Sequence, residues 1–299
     1  MRKNVVLFLL MILPMLSVAQ RWKGYRYDIV FGAGASNFLG DLGGANQFGT
    51  HLLRDLNWQS TRYSLTFGVR YRLGEYTSLR GNLAYGRLRG SDAIKNVEFY
   101  RHYRNLSFRS GVAEFNVLYE ASFMKEQIGR KLRLRGVKGR RGYELYVFGF
   151  VGLGGFYFDP RGFDGSKWVR LKKLHTEGQT IIASRPREYS SFQFCIPFGI
   201  AFKYAINRRW GVALEYGLRY TFTDYLDDVS STYVDPDLLR TQKNGELAAA
   251  MADKTDKTRP DITSAGSQRG DPRYNDAYMF ALITFNYKLK TTRANLPKF

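Results

Sequence analysis

The densest concentration of reactive side chains in this chain is cationic. Lys125, Arg130, Lys131, Arg133, Arg135, Lys138, Arg140 and Arg141 fall within the span Met124–Gly142. Guanidinium groups grip carboxylates and phosphates through paired, charge-assisted hydrogen bonds, and ammonium groups add point charge. Such a run suits an acidic protein surface, where charge complementarity steers encounter and fixes register, or a layer of anionic lipid head groups. Both readings stay open on the residues alone. A second cluster is acidic: Asp224, Asp227 and Asp228, then Asp235 and Asp237. Oxygen-rich clusters hold Ca²⁺, but the spacing is not that of an EF-hand loop. Asp side chains that bond nearby backbone amides account for it equally well.

Catalytic chemistry is not visible. His51, His102 and His175 are far apart and lack metal-ligand spacing. There is no nucleophile elbow, phosphate loop or paired-cysteine site. The single cysteine, Cys195, has no intramolecular disulfide partner and reads as a buried structural thiol. No enzyme activity, cofactor or resident metal is therefore expected.

The elements that must carry these groups are strands. In Tyr63–Leu73 the odd positions Tyr63, Leu65, Phe67, Val69, Tyr71 and Leu73 are apolar, while Ser64, Thr66, Gly68, Arg70 and Arg72 are small or charged. Successive side chains of a strand point to opposite faces, so this period of two makes one greasy side and one polar side. The same alternation predicts eight strands, near Tyr27–Phe38, Arg62–Leu73, Thr77–Leu88, Leu106–Phe123, Glu144–Asp159, Ser191–Ala205, Arg209–Thr223 and Ala277–Lys290. Each has the length of an outer-membrane span, and aromatic residues, 16% of the chain, sit at their ends as well as their middles. The predicted fold is all-β: an eight-stranded antiparallel transmembrane β-barrel of the outer-membrane type with long extracellular loops. Leu106 and Phe108 lie out of phase with Phe115, Val117 and Tyr119, which predicts a bulge near Gly111. Tyr146–Phe158 is apolar on both faces and rich in glycine, so side chains from opposite walls are expected to meet there inside the barrel.

The inward charges Arg70, Arg72, Arg80, Glu114, Glu120, Lys203, Glu215 and Arg219 either line a pore or pair with one another. The bore of an eight-stranded barrel is roughly filled by side chains, which favours pairing over a general porin. Tight turns at Leu73–Thr77 and Ala205–Arg209 belong on the periplasmic side. The long connections, including the loop at about 224–276, belong outside. Within that loop Leu238–Ala252 predicts a short surface helix, and Lys254–Gly270 a polar, mobile stretch. The basic span Met124–Gly142 breaks the rule, being long on the periplasmic side.

The N-terminus sets the compartment. Met1-Arg-Lys is followed by the apolar run Val5–Leu16 and the small-residue site Ser17-Val-Ala19, so residues 1–19 read as a signal peptide and 20–299 as the barrel domain. A net charge of +20 would suggest nucleic acid for a soluble chain. An exported chain does not meet nucleic acid, and lipid head groups or an acidic protein are the expected partners.

Three segments carry a resemblance: Asn37-Phe-Leu-Gly-Asp-Leu42, Tyr225-Leu-Asp-Asp-Val-Ser230 and Gln268-Arg-Gly-Asp-Pro272. With them the chain resembles the Bacteroidetes outer-membrane barrel family of the unknown-function domain DUF6089, which includes the PorG component of the type IX secretion system. The resemblance covers nearly the whole mature chain. It implies an eight-stranded barrel without an enzyme site and, for the secretion component, association with a periplasmic ring of the PorK lipoprotein and PorN. It brings no binding residues with it. The combined expectation is a multi-pass protein of the cell outer membrane that anchors or organises a secretion complex from its periplasmic face. The alternative is a surface barrel for adhesion or envelope integrity.

Overall fold

A computed structural model describes residues 24–42, 58–93, 99–124, 145–185, 187–207, 209–292 and 296–298. Residues 1–19 and the eight cations between 125 and 141 lie outside the described residues. Eight long strands pair in chain order: β1 (Tyr27–Leu39), β2 (Arg62–Arg72), β3 (Thr77–Ser91), β4 (Ser107–Ser122), β5 (Leu145–Phe163), β7 (Phe192–Ala205), β8 (Trp210–Thr221) and β9 (Ala277–Thr291). β1 also pairs with β9, which closes the sheet on itself and leaves no free edge. A short β6 (Trp168–Arg170) extends β5 as a hairpin, and β10 (Pro297–Lys298) folds the tail back onto β9.

One row of cross-strand partners runs Tyr27, Tyr71, Leu79, Tyr119, Val151, Phe198, Leu218, Met279 and back to β1 at Asn37. The circuit thus returns ten residues further along β1, a stagger that goes with strands tilted about 35–45° from the barrel axis. Along this row the outward residues are Tyr, Leu, Val and Phe. Leu153 is 72% exposed and Leu83 61%, with Leu65, Phe67, Phe115, Leu214 and Ile283 all above half. Side chains of this type and exposure cover the barrel wall all round, while Arg70, Arg72, Arg80, Glu114, Glu120, Lys203, Glu215 and Arg219 of the same strands are buried inside, and Arg87, Arg89 and Arg109 are exposed towards the other end of their strands. That inversion of the soluble pattern is stable only against hydrocarbon, so the fold is a transmembrane β-barrel. Aromatic rings pair at both rims: Tyr27 with Tyr71 (5.0 Å) and Trp210 with Tyr287 (4.8 Å) at one, Tyr63 with Tyr85 (6.4 Å) and Tyr220 with Phe222 (5.7 Å) at the other.

The two ends differ. At the turn end, Leu73 N–H and Gly74 N–H both donate to Thr77 O, and Ile206 N–H and Asn207 N–H both donate to Trp210 O. These hydrogen bonds close the two tight turns predicted. Strands β3 and β5 run past the predicted Leu88 and Asp159, to Ser91 and Phe163, because they continue out of the apolar belt into a folded cap at the other end. The cap contains α1 (Phe99–Arg104), α2 (Pro236–Arg240) and α3 (Gly245–Ala252). The single helix predicted over Leu238–Ala252 is two, broken where Asn244 takes a left-handed conformation (φ 65).

Two expectations are corrected. β4 pairs in unbroken register from Ser107 to Ala121, so there is no bulge at Gly111. Phe108 and Leu106 are out of phase because they face the bore and the cap, whose interior at that end is apolar. Lys254–Gly270 is not simply a polar surface stretch, since it folds back through a Thr232–Gln268 bridge and buries Arg269.

Candidate functional site

The bore has two storeys. The one nearer the turn end is ionic. Arg70 binds Glu120 through two bonds (2.5 and 3.1 Å) and reaches Asp28 at 3.4 Å. Arg80 binds Glu215 through two bonds (2.7 and 2.8 Å), and its Nε lies 2.9 Å from Glu120. Arg72 and Lys203 close on Asp28 at 3.3 and 3.7 Å. Arg70 lies over the ring of Phe148 (5.4 Å) and Arg80 over that of Phe150 (5.8 Å), so the apolar inner face of β5 meets the opposite wall as expected. Glycines make that room: a Cβ on Gly199 or Gly217 would come within 2.7 or 2.8 Å of the Phe150 ring. The cavity left among Arg70, Arg72, Glu120 and Lys203 is only about 50 Å³. All eight inward charges named from sequence are buried in this bore. Asp28, which completes the network, was not among them, because an isolated Asp near a strand start carries no period-two signal of its own.

Glu114 marks the boundary. It accepts from Asn116 (2.5 Å), Tyr278 (2.9 Å) and Arg219 (3.3 Å), and Arg219 lies over Phe280 at 4.4 Å. Beyond it Phe38, Leu88, Phe108, Phe156, Phe158 and Phe280 fill the bore and merge with Leu42, Leu171, Leu226, Val229 and Met251 of the cap. Cys195 is buried in this storey, as expected.

The cap is organised by carboxylates on backbone amides. Asp227 accepts from Leu42 N (3.2 Å) and Val229 N (2.9 Å), and Asp276 accepts from Leu226 N (2.9 Å). Asp41 accepts from Asp271 N (2.7 Å). Glu177 accepts from Ser230 N (2.9 Å) and pairs with Arg269 (2.8 Å), which also donates to Asp228 O (2.6 Å). Arg104 forks onto Asp92 (2.7 and 3.0 Å) and ties Asp41 O (2.9 Å) to Arg269 O (2.5 Å). Within the acidic cluster, Asp227 on Val229 N and Asp235 on Asp237 N are turn contacts, while Asp227 also takes the distant Leu42 N; among the described residues no group of three acidic, His or Cys side chains is placed to hold a metal ion. Burial pushes the Asp41, Asp224, Asp227 and Asp276 carboxyls up, Asp224 to about 9. Desolvation is the largest cause for each, and the neighbouring carboxylates add to it. Asp228 is pushed up to about 6 by burial, held there by Arg269, Thr176 and Tyr189.

The three segments that carry the sequence resemblance converge in this cap, where Asp227 accepts from Leu42 N, Arg269 donates to Asp228 O and Asp41 accepts from Asp271 N. Of the sequence-named partner-binding residues, Lys125, Arg130, Lys131, Arg133, Arg135, Lys138, Arg140 and Arg141 lie outside the described residues. Their connection leaves β4 at Ser122 and re-enters at Leu145, both at the turn end, where Ser122 N donates to Tyr76 O (2.7 Å). Glu177, Arg104 and Asp92 were not identified from sequence. Each is a single charge in an aperiodic loop, and nothing local distinguishes it from a solvated one.

No family model and no curated protein matches the chain. Similar solved structures include Neisserial surface protein A, with 10% identity, TM-score 0.35, and 88% of this chain and 96% of that one covered. The N-terminal β-barrel domain of Pseudomonas aeruginosa OprF shows 9% identity, TM-score 0.35, and 89% and 98% coverage. Ail, the attachment invasion locus protein of Yersinia pestis, shows 10% identity, TM-score 0.34, and 88% and 98% coverage. With TM-scores this low, the barrel assignment rests on the closed strand circuit and its lipid-facing belt, not on these likenesses.

Proposed function

We propose that this chain is a non-enzymatic outer-membrane barrel that anchors or organises a type IX protein secretion complex from its periplasmic face. The observation that carries the reading is the closed bore: salt bridges and aromatic rings fill it, so work is left to the two ends. With the tight turns periplasmic, the connection holding Lys125, Arg130, Lys131, Arg133, Arg135, Lys138, Arg140 and Arg141 emerges into the periplasm. A surface so cationic suits the acidic face of a periplasmic ring of PorK- and PorN-like proteins. A photoreactive residue in place of Arg135, activated in intact outer membranes, tests it. Capture of a periplasmic lipoprotein or ring component, abolished by deleting residues 131–141, is expected. Capture of lipid alone overturns it.

A second reading, a surface barrel for adhesion or envelope integrity, is favoured by one observation: at the opposite end the described residues form a folded, densely hydrogen-bonded cap.

A further inference from the structure

Arginines crowd one stretch of the outer barrel wall at the cap end. Arg89 on β3 stands opposite Arg109 on β4, Arg109 opposite Arg161 on β5, and Arg161 opposite Arg170 on β6. Arg87 lies one outward position nearer the apolar belt. Like charges directly opposite one another across strands repel. One carboxylate answers part of this row: Asp159 takes Arg161 at 2.9 Å and Arg170 at 3.2 Å. Among the described residues, Arg87, Arg89 and Arg109 have no acidic partner. Arg109 lies instead over the Trp168 ring (4.1 Å), and Arg87 over that of Tyr63 (5.4 Å). The stack holds the Arg109 guanidinium by its face and leaves its edge N–H groups for an anion.

The position of the row selects the kind of anion. Arg87 and Arg89 are two and four residues past Tyr85, whose ring belongs to the cap-end rim. At about 3.3 Å per residue and a tilt of about 40°, that is roughly 5 and 10 Å along the membrane normal, which brackets the head-group layer bordering the hydrocarbon. Directly below, the lipid-facing wall carries an apolar groove of about 440 Å³, lined by Leu83, Tyr85, Ala113, Phe115, Gly155 and Tyr157 among others. Tyr85 and Tyr157 flank Ala113 in register, so the groove runs between their rings. Cations above an apolar groove match a ligand with a phosphate head and acyl chains. The row crosses four strands, three spacings of about 4.8 Å or roughly 14 Å in all. That width suits a sugar head group bearing phosphate better than a single phosphodiester.

We propose that this row and groove bind a phosphorylated glycolipid of the outer leaflet. Its phosphate rests on Arg87, Arg89 and Arg109, where guanidinium groups give charge-assisted hydrogen bonds, and an acyl chain lies between Tyr85 and Tyr157. The site is at the end of the barrel opposite the cationic connection. It shares with the docking reading only the orientation that puts the tight turns in the periplasm.

The test is native mass spectrometry of the delipidated full chain in amine-oxide micelles. The probes are phosphorylated glycolipid purified from the producing cell's outer membrane, the same lipid after enzymatic dephosphorylation, and phosphatidylglycerol. The intact glycolipid should bind best. Removing its phosphate, or combining Arg89→Gln with Arg109→Gln, should weaken binding about tenfold or more, the contribution expected of two arginines at a membrane surface. Ala113→Phe fills the groove with every arginine in place and should weaken binding as well. Arg273→Gln, which removes an exposed cap arginine paired with Asp271, should leave binding unchanged. All these variants should keep the parent's heat-dependent gel mobility, because the exchanged side chains face outward. Equal binding of the dephosphorylated lipid or of phosphatidylglycerol overturns the proposal. So does binding unmoved by the paired arginine substitution. Binding unmoved by Ala113→Phe overturns it too, and would assign the arginines to a soluble polyanion or an acidic protein.

Discussion

Replacing Arg80 with methionine tests the closed bore most directly. Arg80 is 2% exposed and holds Glu215 by two bonds of 2.7 and 2.8 Å. After the substitution Glu215 keeps only the Thr284 hydroxyl, at 2.8 Å, against a full buried charge. Methionine fills most of the vacated volume, so the cost is electrostatic: about 3–5 kcal/mol for breaking one side of a desolvated pair. That is a large fraction of the roughly 5–15 kcal/mol that holds a protein folded. Adding Glu215→Leu removes the orphaned charge, while Glu120 remains bound to Arg70 by its two bonds. The double variant should therefore recover to within about 1 kcal/mol of the parent, or exceed it. The assay is reversible urea unfolding in lipid vesicles, followed by tryptophan fluorescence and by heat-dependent gel mobility. A cost below about 1 kcal/mol for the single substitution, in the range of a water-exposed pair, would refute the reasoning. Water would then reach Arg80, and the bore would be a wet channel.

In planar bilayers the parent protein should give no single-channel steps, and stepwise conductance would contradict a bore whose turn-end cavity is about 50 Å³. The cap should loosen as pH rises. Asp224, Asp227 and Asp276 keep their protons when folded but release them near pH 4 when unfolded, so the folded cap binds more protons from about pH 4 upward, to about 9 for Asp224. Hydrogen-exchange protection of the Leu226 and Val229 amides, corrected for intrinsic rate, should fall across that window and fall less in Asp276→Asn. Flat or rising protection would contradict the assignment. Leu226 is fully buried, and Leu226→Ala should cost the cap about 2–5 kcal/mol. Limited proteolysis would then cut near residues 253–261 while the barrel keeps its heat-dependent mobility; loss of both together would mean cap and barrel unfold as one unit.

The barrel was legible in the sequence because lipid imposes period two on every strand. All eight strands were placed, and eight of the inward charges followed by parity, Asp28 and Lys288 being missed. Legibility failed where that rule lapses. Phe108 is as apolar as the lipid-facing Phe115 but points the other way, because the bore at the cap end is itself apolar. A pattern that equates greasy with outward must read such a residue as a bulge. The cap was legible only as an acidic loop. Its order comes from carboxylates seated on distant amides, as Asp227 is on Leu42 N, 185 residues away in sequence. Such pairings leave no periodic trace, and Glu177 or Arg269 look like any other solvated charge.

The ionic storey has a role that the lipid belt cannot perform. A strand that slips by two residues keeps its apolar side chains outward, so the belt barely distinguishes the native register from its even-numbered neighbours. The bore does distinguish them. Were β3 to slide by two, Ser78 or Asn82 would stand where Arg80 now meets Glu215 and Glu120, so Glu215 would lose its guanidinium and Glu120 would keep only that of Arg70. At about 3–5 kcal/mol for each broken pair, a single slip would consume much of the folding free energy. Because buried ion pairs add little net stability over apolar replacements, selectivity among registers is the physical gain that charges inside a filled barrel offer. The stagger of ten residues is then set from within, by which arginine finds which carboxylate.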